Sequence, residues 1–263
     1  MRAARRAGVA MNRLNDSVAL VTGAAGVFGT AIATRYAEEG ATLVLTDVDT
    51  TRLQAAVKAV EAVAAAPVSA FVADLTEPAE VTRLFAHTDE TWGRLDVLIN
   101  NAGGALRSPL VFHNDADWRR MLRVNLDTVF YCSREAVRRM LPRRSGRIIN
   151  VASALGLTGG ADEVAYATAK AAVIGFTRSV AQEVGRRGVC VNAICPTLAD
   201  SGVSREYFGG FEVDIRAVAA YLARRAAMPR PIAPEDVADV AVFLGARESA
   251  YLNGQAILVG GVG

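Results

Sequence analysis

The sequence predicts an α/β fold: a single domain built on a doubly wound parallel sheet of about seven strands, with helices on both faces. Short β-branched, apolar runs alternate with longer Ala-rich amphipathic segments, the order that gives parallel strands joined by right-handed helical crossovers. Most of these runs are apolar at nearly every position, as in strands covered on both faces. A length of 263 residues, 52% hydrophobic and 21% charged, suits one large domain with a substantial core.

The elements follow in order. "VALVT" (18–22) reads as the first strand, and a glycine-rich turn leads into a helical pattern over 27–39. "TLVLT" (42–46) precedes a helix over 50–65, and "VSAFV" (68–72) precedes one over 77–92, where Val81, Leu84, Phe85 and Thr88 fall at helical spacing. "LDVLIN" (95–100) is followed by a long helical stretch, 115–141, and "RIINVA" (147–152) by another, 163–186. "VCVNAI" (189–194) and "AILV" (256–259) close the sheet, with a helix at 235–246 between them. The segment 198–232 breaks the rhythm with Gly202, Gly209, Gly210, Pro229 and Pro231 beside Tyr207, Phe208 and Phe211. A long insertion there reads as a substrate lid, with an oligomer contact as the alternative. Residues 1–13, with Arg2, Arg5, Arg6 and Arg13 and no apolar run suited to a secretory leader, read as a basic flexible tail; Met11 is an alternative start. The catalytic domain is then 14–263.

Composition excludes several functions. A net charge of +2 gives no footprint for nucleic acid or an acidic membrane surface, and no stretch of about 18 apolar residues would span a bilayer. Cys132, Cys190 and Cys195 lack ligand spacing and are odd in number, while His87 and His113 stand alone. Neither a disulfide framework nor a metal site is expected, and a reducing cytoplasmic location follows as the default.

The chemistry gathers at strand ends. Gly23, Gly26 and Gly29 form G-x-x-G-x-x-G between the first strand and first helix. The turn, with Val27 and Phe28 inside it, brings backbone against a pyrophosphate at the positive helix N-terminus. Asp47 ends the second strand, 24 residues after Gly23, where a carboxylate accepts adenosine ribose hydroxyls and repels a 2′-phosphate. That favours NAD over NADP, with Asp49 a rival for the contact. "YATAK" (166–170) puts Tyr166 and Lys170 on one helical face. Of 29 basic residues only Lys58 and Lys170 are lysine, so this position selects a compact ammonium over a planar guanidinium. Ser153 closes the fifth strand and "NNAG" (100–103) the fourth, both at the carboxyl edge where open α/β sheets bind ligands.

This ordered set resembles the compact branch of the short-chain dehydrogenase/reductase family, a Rossmann fold, from about Asp16 to Gly261. The resemblance implies an oxidoreductase that interconverts a secondary alcohol and a ketone by hydride transfer. It implies catalytic roles for Asn125, Ser153, Tyr166 and Lys170. Tyr166 would exchange the proton with the substrate oxygen and Ser153 would polarise that oxygen. Asn125 would fix a water in a relay to Lys170, which would also bond the cofactor ribose. A cation about 5 Å from the phenol, at an effective dielectric near 20, contributes roughly 3 kcal/mol and would depress its pKa below 10. Cofactor contacts are implied for Asp74 and Leu75 of "ADL", for Asn101, Ala102 and Gly103, and for Pro196, Thr197 and Ser201.

The resemblance also implies a homotetramer, with the helices at 115–141 and 163–186 pairing across an interface. The substrate is expected to be a small-molecule ketone or alcohol with an apolar part, such as a 3-oxoacyl or polyketide-like compound. Arg107 and Arg205 are candidates to meet an acidic group on it. Three departures from the family pattern stand out: Val27 replaces a glycine that Gly26 supplies one place earlier, Thr197 follows Pro196 where glycine is usual, and "GGVG" ends the chain where Asp-Gly-Gly is usual. Two rival readings are a non-redox enzyme of the same fold using bound NAD as a scaffold, and a dinucleotide-sensing binding protein. The intact Ser/Tyr/Lys set argues against the sensor.

Overall fold

A computed structural model describes residues 12–199, 220, 224, 228 and 230–261. Seven strands form one sheet: β1 (Val18–Thr22), β2 (Thr42–Asp47), β3 (Val68–Val72), β4 (Val97–Asn100), β5 (Gly146–Val151), β6 (Val189–Pro196) and β7 (Ala256–Val259). Their order is β3-β2-β1-β4-β5-β6-β7, and every neighbouring pair is parallel. The order reverses between β1 and β4, so the carboxyl ends of these two strands open a crevice.

The continuous apolar strands are explained by two cores. On β1, Ala19 and Val21 face one side and Leu20 the other. The first face packs under α1 (Val27–Glu38) and the C-terminal helix α8 (Pro234–Gly245) through Ile32, Tyr36, Val237 and Val242. Between these come α2 (Thr50–Glu61), α3 (Pro78–Trp92), α4 (Asp115–Leu122), α5 (Thr128–Arg143), α6 (Leu155–Thr158) and α7 (Val164–Val184). The second face buries Leu84 and Phe85 of α3, Cys132 and Met140 of α5 and Val184 of α7 against Leu20, Leu98 and Ile148. A buried polar bridge crosses that second core. Asn100 donates to Ser133 Oγ at 2.9 Å and Asn150 Oδ1 at 2.8 Å, and Asn150 donates to Thr177 Oγ1 at 2.8 Å. It ties β4 and β5 to α5 and α7, the elements that carry the site.

Two expectations need correction. The helix expected over 115–141 is broken: α4 and α5 are separated by a π-helical turn, Arg123–Asp127. Such turns insert a residue without disturbing the average 3.6-residue hydrophobic period, so the pattern shows one continuous helix. Arg13, expected in the tail, belongs to the domain. Its guanidinium pairs with Glu39 at 3.1 Å and Glu248 at 3.2 Å, and Leu14 beside it is buried.

The amino edge of the sheet is pinned by Asp96. Its carboxylate accepts from Val18 N at 2.9 Å, from Arg94 at 2.8 Å and from Arg143 at 2.7 Å. Partial burial alone would raise this carboxyl, yet these hydrogen bonds hold its pKa below the usual range. A depressed carboxylate pKa gives stability that is present above the unfolded value and lost as pH falls through the folded one. Asp96→Asn should therefore lower the urea midpoint at pH 7. The gap to wild type should narrow as pH falls below about 4, the unperturbed aspartate value. A gap that stays constant from pH 7 to pH 3 would show that the charge contributes nothing.

Candidate active site

At the crevice, the β1–α1 turn and the loop after β4 are joined through Thr22. Its buried hydroxyl donates to Ile99 O at 3.1 Å and accepts from Asn101 N at 2.9 Å and Ala102 N at 3.0 Å. Asn101 returns two bonds, from Nδ2 to Thr22 O at 3.1 Å and to Gly23 O at 2.9 Å. Glycine is required twice. Gly23 has φ +60°, and a Cβ there would lie 2.7 Å from Ala102 Cα; a Cβ on Gly29 would lie 2.1 Å from Gly23 O. Gly26 caps α1 without a side-chain hydrogen bond, and the first turn holds no acidic residue. The start of the helix, Val27 to Gly29, thus offers uncapped N–H groups and the positive end of its dipole. This fits a dinucleotide pyrophosphate.

At the end of β2, Asp47 accepts from Ala25 N at 3.0 Å and Asp49 N at 3.2 Å, which aims its carboxylate along the turn. The rival Asp49 is occupied as the N-cap of α2, accepting from Arg52 N at 3.0 Å. Arg52, which the sequence reading passed over, also reaches this turn, donating to Ala25 O at 3.4 Å. After β3, Asp74 Oδ1 holds Thr76 through its N–H at 2.9 Å and its hydroxyl at 2.7 Å, above a buried Leu75.

The four expected catalytic residues fall close together. Tyr166 and Lys170 lie on α7, with Lys170 Nζ 5.7 Å from the Tyr166 ring centroid. Ser153 follows β5, and its hydroxyl is near enough to the phenol to hold the phenol's pKa down. Asn125 lies in the π turn, where its Nδ2 donates to Gly104 O at 2.8 Å and Met121 O at 3.0 Å and its Oδ1 accepts from Gly104 N at 3.2 Å. A Cβ at Gly103 would sit 2.6 Å from Asn125 Oδ1 and 3.5 Å from Lys170 Nζ, so the two side chains flank one small space. The π turn is what lets Asn125 reach inward.

The electrostatics correct one expectation. Burial pushes the Tyr166 phenol up to about 12; Ser153 opposes this shift and the Glu163 carboxylate adds to it. A phenol depressed below 10 is therefore not what the polypeptide alone produces. Lys170 is shifted as well: its own burial lowers its pKa to about 8, against a smaller opposing effect of Cys195. Its ammonium is turned onto Val151 O at 2.9 Å. Glu163, three residues before Tyr166, is another group the sequence reading missed, because its burial comes from tertiary packing.

After β6, Thr197 N donates to Val259 O at 2.9 Å. A Cβ at Gly260, whose φ is +120°, would lie 2.0 Å from Thr197 Oγ1. The two departures from the family pattern at 197 and 260 are thus one packing arrangement: the threonine occupies the room that glycine leaves. Ser201, Arg205, Tyr207, Phe208 and Phe211 lie outside the described residues. Arg107 is engaged with Asp162 at 3.4 Å. Among the described residues no group of three or more His, Cys, Asp or Glu side chains is placed to hold a metal ion, and no helix is long and apolar enough to cross a membrane.

Comparison with known proteins finds relatives over nearly the whole chain. The family model described as short chain dehydrogenase matches residues 17–209. The 3-oxoacyl-[acyl-carrier-protein] reductase FabG of Thermotoga maritima is 34% identical over 254 residues, covering 95% of this chain and 98% of that protein. Among solved structures, levodione reductase superposes with a TM-score of 0.90 at 31% identity, covering 94% of this chain and 97% of that one. NAD+-bound xylitol dehydrogenase superposes with a TM-score of 0.88 at 28% identity, covering 95% of this chain and 99% of that one.

The Thr197–Gly260 pair is open to a direct test. Gly260→Ala should destabilise by about 1–3 kcal/mol, the usual cost of overpacking, in urea unfolding. In a Thr197→Gly background the same change should cost clearly less, leaving the backbone strain and the close approach to Ile232 Cγ2. Equal costs in the two backgrounds would show that the residues do not share space.

Proposed function

We propose, from the premise that this chain belongs to the short-chain dehydrogenase family, that it is an NAD-dependent oxidoreductase interconverting a secondary alcohol and a ketone. That it is an oxidoreductase acting on alcohol or ketone groups follows from the family; the choice of NAD and the kind of substrate are the proposal. The observation that carries it is the convergence of Ser153, Tyr166 and Lys170 on the crevice next to an uncapped helix start, with Asp47 at its far side.

The residues that would hold the cofactor are the glycine turn with Val27 and Phe28, Asp47, Asp74, Leu75, Asn101, Ala102, Gly103, Tyr166, Lys170, Pro196, Thr197 and Ser201. When bound, the nicotinamide supplies or accepts the hydride. Ser153 holds the substrate oxygen and stabilises charge that develops on it. Tyr166 gives a proton to that oxygen in ketone reduction and takes it back in alcohol oxidation. Lys170 keeps a positive charge beside the phenol and offers donors toward the cofactor ribose. Asn125, held by Gly104, shapes the small space next to the lysine where a water can join the relay. The exposed Leu110, Val111 and Phe112, on the loop that leaves the site after Gly104, support a substrate with an apolar part. A single domain that takes in Arg13 and carries a lid around 198–232, a homotetrameric assembly and a cytoplasmic location complete the reading.

Preference for NAD rests on Asp47 opposing a 2′-phosphate that Arg52 would otherwise welcome. Asp47→Ser should move the kcat/KM ratio toward NADP by about two orders of magnitude, the scale of losing one charge repulsion and exposing one cation. Adding Arg52→Ala should remove that gain. A wild-type enzyme that already prefers NADPH would overturn the assignment.

Proton transfer is tested by Tyr166→Phe, which keeps the ring and removes the ionisable oxygen. Turnover should fall at least about 100-fold while NADH affinity, measured by calorimetry, changes little. The wild-type oxidation rate should rise with pH, and this limb should vanish in the variant. Near wild-type ketone reduction by Tyr166→Phe would refute the mechanism. Turnover of substrate with no net change in NADH would support the non-redox rival.

A further inference from the structure

Glu163 has a side chain that the mechanism above does not use and that protein structures rarely tolerate without reason. The residue is 4% exposed, and its Oε2 is buried with no hydrogen-bond partner. A carboxyl in that position costs stability, and such groups persist mainly where a site needs them. Glu163 stands at the N-terminal boundary of α7, three residues before Tyr166. It is the N-cap residue, just outside the helix, and its Cγ lies 3.2 Å from where a Cβ on Gly160 would be. Its charge is felt at the phenol, where it opposes ionisation. Arg107 and Asp162, an ion pair at 3.4 Å, are near enough for their charges to act on Glu163.

We infer that Glu163 is a specificity-determining residue whose unpaired carboxyl oxygen accepts a hydrogen bond from a second hydroxyl of the substrate, selecting vicinal diols and the matching hydroxyketones over plain alcohols and ketones. The inference rests on the oxidoreductase reading, since Ser153 and Tyr166 take the reacting oxygen and thereby bring the neighbouring carbons past Glu163.

The chemistry of the surroundings narrows the partner to a neutral donor. A carboxylate or phosphate on the substrate would meet both Glu163 and Asp162, and like charges at such range repel. An ammonium would meet the Arg107 guanidinium, whose field already acts on Glu163. A hydroxyl satisfies the oxygen without adding charge. Burial holds the Glu163 carboxyl up at about 7, so near neutral pH both its protonated and ionised forms are present, and each can bond a hydroxyl. Where a site presents a buried polar group, the substrate lacking the matching hydroxyl leaves that group unpaired and is disfavoured.

The test compares matched pairs with NAD: 2-butanol with 2,3-butanediol, 2-octanol with 2,3-octanediol, and cyclohexanol with trans-1,2-cyclohexanediol. Wild-type kcat/KM should favour the diol of at least one pair by about ten-fold or more. Glu163→Ala should lower the diol value by about ten-fold while changing the plain alcohol by less than about three-fold. Glu163→Gln, which keeps an acceptor, should retain most of the preference. Thermal unfolding of Glu163→Ala should occur at the wild-type temperature or above it, because an unsatisfied buried group is removed. Equal losses on diol and plain alcohol, or a fall in unfolding temperature with both activities reduced, would overturn the inference in favour of a structural role. Oxidation of plain alcohols with no diol preference would also overturn it and leave the oxidoreductase reading standing. Failure to oxidise any member of any pair, with NADH binding intact, would count against both.

Discussion

The arrangement of the site depends on one buried ammonium. Lys170 is 4% exposed, and its Nζ donates to Val151 O at 2.9 Å, at the end of β5. A buried ammonium needs an acceptor close to its N–H groups and a tightly packed surround, and the chain supplies both. α7 must lie tightly against the end of β5, which is why α6 meets it through Gly156, where a Cβ would come within 2.8 Å of the Lys170 carbonyl carbon. The loop after β4 must also stay slim, and Gly103 keeps it so. The compact, tetrahedral ammonium fits this space; a planar guanidinium needs a wider fork of acceptors. In a chain that uses arginine at nearly every other basic position, lysine at 170 is explained by that geometry.

Much of this was legible in the sequence, for physical reasons that differ by element. The sheet was legible because strands covered on both faces must be apolar throughout: β1 sends Ala19 and Val21 into one core and Leu20 into the other. Tyr166 and Lys170 were legible because helical spacing fixes which residues share a face. The break between α4 and α5 was not, because a π turn shifts direction locally and leaves the average period intact. Thr22 was hidden for another reason. A threonine at the end of a strand looks like any β-former, and only the fold reveals that its hydroxyl joins the loops after β1 and β4. Glu163 carries no signal in the sequence, because its burial comes from packing that spacing does not encode.

Departures from a family pattern are informative when they occur in compensating sets. Thr197 and Gly260 each look like a lost glycine or a lost aspartate when read alone. Together they are a transfer of volume across the end of the sheet, from residue 260 to residue 197. The glycine turn behaves differently. Gly29 approaches Gly23 O so closely that no side chain fits, whereas a Cβ at Gly26 would be 3.2 Å from the same oxygen. The turn therefore depends most on Gly23 and Gly29, with Gly26 a tighter fit than an ordinary side-chain position but not an excluded one.

The protonation states of Tyr166 and Lys170 bear on which half-reaction the resting site is ready for. Burial drives the phenol up to about 12 and the ammonium down to about 8, so both shifts favour the neutral form of each group. At pH 7 the phenol is protonated and the lysine is still largely a cation, because its value lies about one unit above that pH. This is the proton-donating form, the one needed to protonate a ketone oxygen. The oxidative direction asks for the opposite: the phenol must lose its proton while Lys170 keeps its charge. The polypeptide alone opposes that state, through burial and through the Glu163 carboxylate. Under the proposed function that ionisation would have to be helped by charge the bound ligands bring, and the resting phenol is the form that holds its proton.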